Sequence, residues 1–387
     1  MKNHFTLAAA LIAGAAYAAP PPPADSASHE RAQELVRQLA GPRYRERELA
    51  ANELLKMGRA ARAALQEGKK SADQEVHTRC ATLLPQALAL DLAYRLDRFL
   101  KDPDGKQEHE LPLWKAYREK VGRDDNAHKL YAEMVKANGA LLDLVESEPT
   151  QATDRIQKRS HDVYQEVFGN PGNGRRFNGM GSASAAELSC LFFAAAQPAY
   201  QPAPPDRLLV SLLTVPSYVS QMRDDKGGTA YRKVFFAYLE ARLDETLINQ
   251  VLWPLCQYKL KQGADVMAKA LKDGKATQVQ TKASVICCIG TLGGREHVKA
   301  LVELLKDDTD VAEFFRVGPM GQVKGQVKVR DVALAMTIHL SGQNPKDFGF
   351  RYWNVYPNQL IQHHQLGFVS PEDRAVAFSK WADESKK

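Results

Sequence analysis

Apolar residues recur with a helical period along almost the whole chain. "ERAQELVRQLAG" sets Leu35, Val36 and Leu39 on one face, and Gly41-Pro42 stops the run. "RYRERELAANELLKMG" repeats the pattern with Ala50, Ala51, Leu54, Leu55 and Met57, and Gly58 is its expected C-cap. "RAARAALQEGKK" predicts a short helix. "SADQEVHTRCATLLPQALALDLAYRLDRFL" spaces Val76, Cys80, Leu83, Leu84, Ala87 and Leu88 as one stripe. Asp73 stands where a carboxylate caps free amides, and Pro85 predicts a kink or a boundary between two helices.

The middle of the chain keeps the same period. "LWKAYREKVG", "NAHKLYAEMVKANGALLDLVE" and "QATDRIQKRSHDVYQEVFG" all predict helices, as do "SAAELSCLFFAAA", "DRLLVSLLTVPSYVSQM", "TAYRKVFFAYLEARL" and "ETLINQVLWPLCQYKLKQ". Near the end, "ASVICCIGTLG" and "GREHVKALVELLKDD" are amphipathic or apolar helices. "VKVRDVALAMTIHLSG" puts Val329, Val332, Ala333, Met336 and Leu340 on one face, with Arg330 and Asp331 expected to face outward or to pair across the turn. Alternating runs are scarce, and "GQVKGQVKVR" is the best strand candidate, its last part also suiting a helix start. The expectation is an all-α chain.

Two distant stretches are written alike. "DQEVHTRCATLL" (73–84) and "VKVRDVALAM" (327–336) both put a valine and an arginine at the head of an apolar stripe. Asp73, Val76, Arg79, Ala81 and Leu83 resemble the second helix of a HEAT repeat, and the preceding "LAGPRYRERELAANELLKMGRAARAALQEG" is similar to its run-in helix. The resemblance extends to exported bacterial proteins with a HEAT-like N-terminal region, and it implies an α-solenoid of armadillo-like helical hairpins at both ends with an irregular helical middle. Such hairpins share their apolar stripes with their neighbours, so each rewrites a similar stripe. In the C-terminal unit the helices are separated by "DTDVAEFFRVGPMGQVKGQ", a gap of roughly 20 residues where repeats use ~2–8. We read it as an insertion, with Phe314 and Phe315 either contact residues or tucked back onto the body.

The start of the chain supplies an address. Lys2 precedes an uncharged apolar run, Phe5 to Ala16, and Ala16-Tyr17-Ala18 is an A-x-A site. The expectation is a signal peptide, 1–18, cleaved after Ala18, then a Pro-rich spacer, 19–29. Three regions follow: HEAT-like 30–104, central 105–275 with Gly/Pro-rich loops, and HEAT-like 276–387 with an aromatic segment and a terminal helix. The apolar run is too short to span a bilayer that needs ~20 residues, so the protein is expected in the periplasm, the envelope or the medium. Hydrophobic content of 44% suits a folded body, and a net charge of +6 over 387 residues does not argue for nucleic acid. Of the five cysteines, Cys80, Cys190, Cys256, Cys287 and Cys288, an odd count leaves at least one free, and each has an apolar helical context.

Chemistry-bearing motifs are few. His29 and His109 begin like H-E-x-x-H, but Gln33 and Leu113 stand where the second histidine belongs, so no zinc pair forms. His363-His364 diverge on a helix. The loop 169–184, "GNPGNGRRFNGMGSAS", carries Arg175, Arg176 and Ser182 before a helix start and is a candidate contact or anion site. It lacks the lysine of a P-loop and the frame of G-x-S-x-G. "FGFRYWNVYPNQLIQ" is either a sugar platform or a core anchor. "VSPEDRAVAFSKW" predicts a terminal helix with Ser370 as N-cap and Val376, Phe378 and Trp381 docking. No cofactor and no metal are expected. The leading expectation is a non-catalytic scaffold that binds a protein partner. The alternative is an enzyme or small-ligand binder with a pocket in the central region near the Gly-rich loop and "QPAYQPAPPDR", collecting His161, Arg175 and Arg176.

Overall fold

The computed structural model describes residues 26–103, 107–169, 183–203, 207–318 and 321–385. The expected leader, 1–18, lies outside them. The protein is all-α, with one two-stranded sheet among the described residues, and it divides into two compact units between Leu111 and Pro112. No described helix is long and apolar enough to cross a membrane.

The first unit holds α1 (Ser26–Gln38), α2 (Tyr44–Met57), α3 (Arg62–Gly68) and α4 (Gln74–Leu100). Residues 26–29, expected as spacer, form the first turn of α1. The stripes read from sequence converge: Leu35, Leu39, Leu54, Leu65, Cys80 and Ala87 share one core. Asp73 caps α4 by accepting from the amides of Glu75 (2.8 Å) and Val76 (3.2 Å). Arg79 reaches Glu75 on its own helix and Glu48 of α2. Pro85 does not divide α4. It sits on the solvent side, where water can satisfy the carbonyl its missing N–H leaves unbonded. Inside α4, Arg95 bonds the buried Asp91 at 2.7 Å and also the carbonyl of Glu110, so neither charge is left without a partner.

The second unit begins with α5 (Trp114–Lys120), α6 (Asp125–Ser147), α7 (Ala152–Phe168) and α8 (Ala185–Ala195). The run 206–222, read as one helix, breaks into α9 (Arg207–Ser211) and α10 (Pro216–Arg223) because Pro216 forces extended backbone on Val215. Next come α11 (Thr229–Arg242), α12 (Glu245–Gln257), α13 (Gln262–Lys272), α14 (Val279–Leu292) and α15 (Val298–Val302). The hairpin β1 (Asp310–Gly318) and β2 (Gly321–Lys328) leads into α16 (Val329–Leu340), and α17 (Pro371–Glu384) follows an irregular segment. α14 packs on α12, α13 and α16, and it is apolar on nearly every side, as a helix enclosed by three others must be. At Gly290 a Cβ would lie 2.1 Å from Met336 Sδ, so glycine is what lets α14 and α16 approach this closely.

The expected insertion is the hairpin. β2 is the strand candidate, and α16 starts at Val329 as its sequence allows. β1 was not foreseen. Phe314 is buried over Gly325, its register partner, and meets the Tyr352 ring edge-on, while Phe315 points to solvent under the Lys324 ammonium. The outer edge of β2 is covered at Gln326 by Phe368, which exchanges two backbone bonds with it (3.0 and 3.1 Å). Phe348, Phe350, Trp353 and Ile361 of the aromatic segment are buried.

Two expectations are corrected here. Of the two alternatives for Asp331, facing outward fails and pairing across the turn holds: it is fully buried, bonded at 2.9 Å by the Lys328 amide across the turn and at 2.9 and 3.1 Å by Arg374 of α17, which was not expected. Outward placement fails because α14, α15 and α17 all pack on α16. The second correction concerns α17. Ser370 caps it as expected, but Val376 is 68% exposed, and the inward stripe is Arg374, Ala377, Phe378 and Trp381 at i, i+3, i+4, i+7.

Two outcomes are expected. Burial pushes the Asp331 carboxyl above its ordinary value, and Arg374 and the Lys328 amide oppose that push. Arg374→Ala removes the main opposition and should cost about 3–5 kcal/mol in urea unfolding at neutral pH. A raised folded-state pKa means the folded chain holds the proton more tightly, so acidification stabilises this variant relative to the parent until its Asp331 is protonated. A penalty that stays constant from pH 7 to pH 4 would contradict the assignment. The second outcome concerns Glu245 at the start of α12, which accepts from the Thr277 hydroxyl and from the Gln278 amide (2.6 Å), the N-cap position of α14. The Thr277 and Gln278 bonds hold its carboxyl below the ordinary value. Its stabilisation is present above the unfolded pKa and is lost as pH falls through the folded one, so Glu245→Gln should flatten the acid limb of the stability curve below about pH 5.

Candidate functional site

The site is built on an aromatic bed inside the second unit. Tyr117 and Tyr131 are fully buried; Tyr117 donates to the Ala127 carbonyl (3.0 Å) and Tyr131 to that of Pro112 (2.6 Å). Trp114 lies 4.7 Å from the Tyr131 ring and Phe193 lies 5.3 Å from the Tyr117 ring, so α5, α6 and α8 are locked together by tilted and edge-on rings. Tyr231 of α11 reaches Glu133, and burial pushes its hydroxyl up to about 12.

Over this bed lies a cleft of about 620 Å³ between α5, the end of α8, α11 and α13. Its lining is unusually small in side chain: Ala116, Ala196, Ala237, Ala241 and Ala270, with Phe193 and Val266. Cavities of about 240 and 230 Å³ adjoin its two ends, sharing Ala237 and Glu240 with it at one and Ala241 and Leu243 at the other. Together they follow α11 from Lys233 to Leu243, a rise of roughly 15 Å at ~1.5 Å per residue.

The walls are held by cations that bond backbone. Arg242 donates to the Ala195 carbonyl (2.8 Å) and to that of Gln197, and stacks 5.5 Å from the Tyr200 ring, closing the carbonyl end of α8 and holding the turn that forms the cleft's end wall. Lys233 donates to the Val121 carbonyl (2.8 Å), tying α11 to the end of α5. On α13, Asp265 meets His297 at 3.1 Å, and Lys269 bonds Asp273, which holds the Asp273 carboxyl below its ordinary value.

Four rim charges are different. Glu119 and Lys120 of α5, Glu240 of α11 and Lys275 after α13 make no side-chain hydrogen bond or ion pair among the described residues. The cleft therefore offers an apolar floor of small residues and, besides the paired Asp265, Lys269 and Asp273, two charges of each sign outside any ion pair at its edge. That chemistry can receive a segment with a narrow apolar face and both acidic and basic flanks.

The residues singled out from sequence fall elsewhere. Arg175, Arg176 and Ser182 lie outside the described residues. Phe314 is in the hairpin core and Phe315 on its surface, both away from the cleft lining. His161 is exposed on α7 and does not line the cleft. His109 is buried against Asp102 (2.9 Å) and the Phe99 ring, and His363 lies 3.4 Å from the Ser284 hydroxyl. Among the described residues no three His, Cys, Asp or Glu side chains gather at metal-binding distance. Gln197 and Pro198 of "QPAYQPAPPDR" do line the cleft, and Tyr200 and Pro202 line its extension. Sequence reasoning missed Ala116, Ala237 and Ala241. The available signal was the spacing of Ala237 and Ala241, i and i+4, within the otherwise aromatic "YRKVFFAYLEAR". No protein-family profile, no curated protein and no solved structure matches the chain.

Proposed function

We propose that this is an exported helical scaffold of HEAT-like hairpins whose second unit holds a helical segment of a partner protein along α11. The observation that carries the reading is the cleft itself: a floor of alanines with uncommitted charges of both signs at its rim. Small floor residues let a second helix axis come close, and close approach gives dispersion contact over the whole length of the groove. Glu119 and Glu240 would meet basic residues of the incoming helix, and Lys120 and Lys275 acidic ones. Rim charges of this kind select partner and register more than they add affinity. The groove's length suits about three helical turns.

A small-ligand reading has one observation in its favour. A cleft of about 620 Å³ falls in the ~300–1,000 Å³ range of small-molecule sites, and Gln197 and Pro198 stand in its wall.

The test is crosslinking affinity capture from envelope extract of the native host with the parent chain, Ala241→Trp and Glu240→Lys. Ala241 is exposed on the floor, so the indole fills the groove without entering the core. The captured partner, once purified, should bind each variant about tenfold or more weakly, with circular dichroism unchanged. Equal binding by the parent and Ala241→Trp overturns the docking reading. A thermal shift produced by the low-molecular-weight fraction of the extract, and abolished by Ala241→Trp, would establish the small-ligand reading instead.

A further inference from the structure

All five cysteines are free and buried in the structure, and one pair stands apart from the rest. Cys256 of α12 and Cys288 of α14 touch sulfur to sulfur at 3.8 Å, from different helices, 32 positions apart in the chain. Cys80 belongs to the other unit, and Cys190 donates to the Asn138 carbonyl at 3.5 Å. Cys287, next to Cys288 on α14, projects about 100° away around the helix; it is near enough to feel the Cys256 thiol, but the sulfur contact is made by Cys288.

We infer that Cys256 and Cys288 are a covalent modification site, oxidised to an intramolecular disulfide that crosslinks α12 to α14 when the chain folds in the presence of a disulfide-bearing oxidant. Bond formation draws the sulfurs from 3.8 Å to ~2.05 Å. The chain is arranged to allow that closure. Pro254 lies two residues before Cys256 and has no N–H to bond the preceding turn, and α12 ends at Gln257, one residue beyond. Pro254 therefore leaves the turn before Cys256 one backbone bond short, while the carbonyls of Pro254, Leu255 and Cys256 are bonded by the amides of Tyr258, Leu260 and Lys259. Cys288, in contrast, sits in the interior of α14, enclosed by α12, α13 and α16, and provides a fixed mate.

The chemistry balances without any further reagent. One thiol loses its proton and attacks a sulfur of the oxidant's disulfide, releasing one oxidant thiolate and leaving a mixed disulfide. The second protein thiolate displaces the second oxidant thiol. Two protein thiols become one disulfide, and the oxidant's disulfide becomes two thiols. Both sulfurs are sealed from solvent in the finished fold, so the exchange takes place while α12 and α14 are still docking.

The test refolds the full chain from denaturant in oxidised and reduced glutathione, traps thiols with iodoacetamide under denaturing conditions, and maps peptides by mass. The expected result is three alkylated cysteines, Cys80, Cys190 and Cys287, and a crosslinked peptide pair containing Cys256 and Cys288. The same crosslink should persist in Cys287→Ser. The oxidised protein should melt about 5–10 °C above its dithiothreitol-reduced form. Five alkylated cysteines after oxidative refolding to native circular dichroism, or a crosslink through Cys287, overturns the inference. The mapping is done on the unaltered chain, so it does not depend on any variant folding.

Discussion

Asp331 is sealed from solvent, and Arg374 supplies what water would. The guanidinium fork meets both carboxylate oxygens, while the Lys328 amide takes a further lone pair. A carboxylate in this position costs several kcal/mol if left alone, so its partner is not optional. The same guanidinium donates to the Gln326 carbonyl, which places one side chain of α17 against the head of α16 and the edge of β2 at once. The hairpin, α16 and α17 meet at that junction, beside the paired backbone bonds of Phe368 and Gln326. The first unit uses the same device on a smaller scale, with Arg95 spanning the buried Asp91 and the Glu110 carbonyl.

Cations in the second unit divide into two kinds. Arg242 and Lys233 are committed to backbone carbonyls at helix ends, where they complement the negative pole of the helix dipole and tie α11 to α8 and α5. Lys120 and Lys275 make no side-chain hydrogen bond or ion pair among the described residues, and Lys275 acts only at a distance, helping Lys269 to hold the Asp273 carboxyl below its ordinary value. The contrast separates architecture from surface available for recognition. A rim whose charges already paired with each other would have to break those pairs before meeting another molecule.

Much of the fold was legible because helical periodicity is a local property. Leu35, Leu54, Cys80 and Ala87 went to the core as their spacing required, and Asp73 and Ser370 cap the helices they precede. What could not be read depends on residues distant in sequence. Nothing near Asp331 announces that Arg374 will arrive, so a polar pair looked like a solvent face. Val376 seemed a docking residue by its chemistry, yet the stripe set by Arg374 and Ala377 turns it outward. β1 was hidden because "DVAEFFRVG" has no alternation strong enough to read, and its pairing becomes apparent only opposite Gly325. The cleft was least legible of all, because alanine carries little positional information and the floor is assembled from four separate helical segments.

Chain order adds a consequence to the Asp331 junction. A ribosome delivers Asp331 43 residues before Arg374. Until α17 docks, Asp331 depends on water in place of that arginine, so the head of α16 stays open, and until Phe368 arrives the β2 edge is bare. Molecules interrupted within that interval are left with a lesion that chaperones and proteases can recognise, whereas a chain extended past α17 conceals it. The junction thereby makes maturation of the second unit conditional on its own late synthesis.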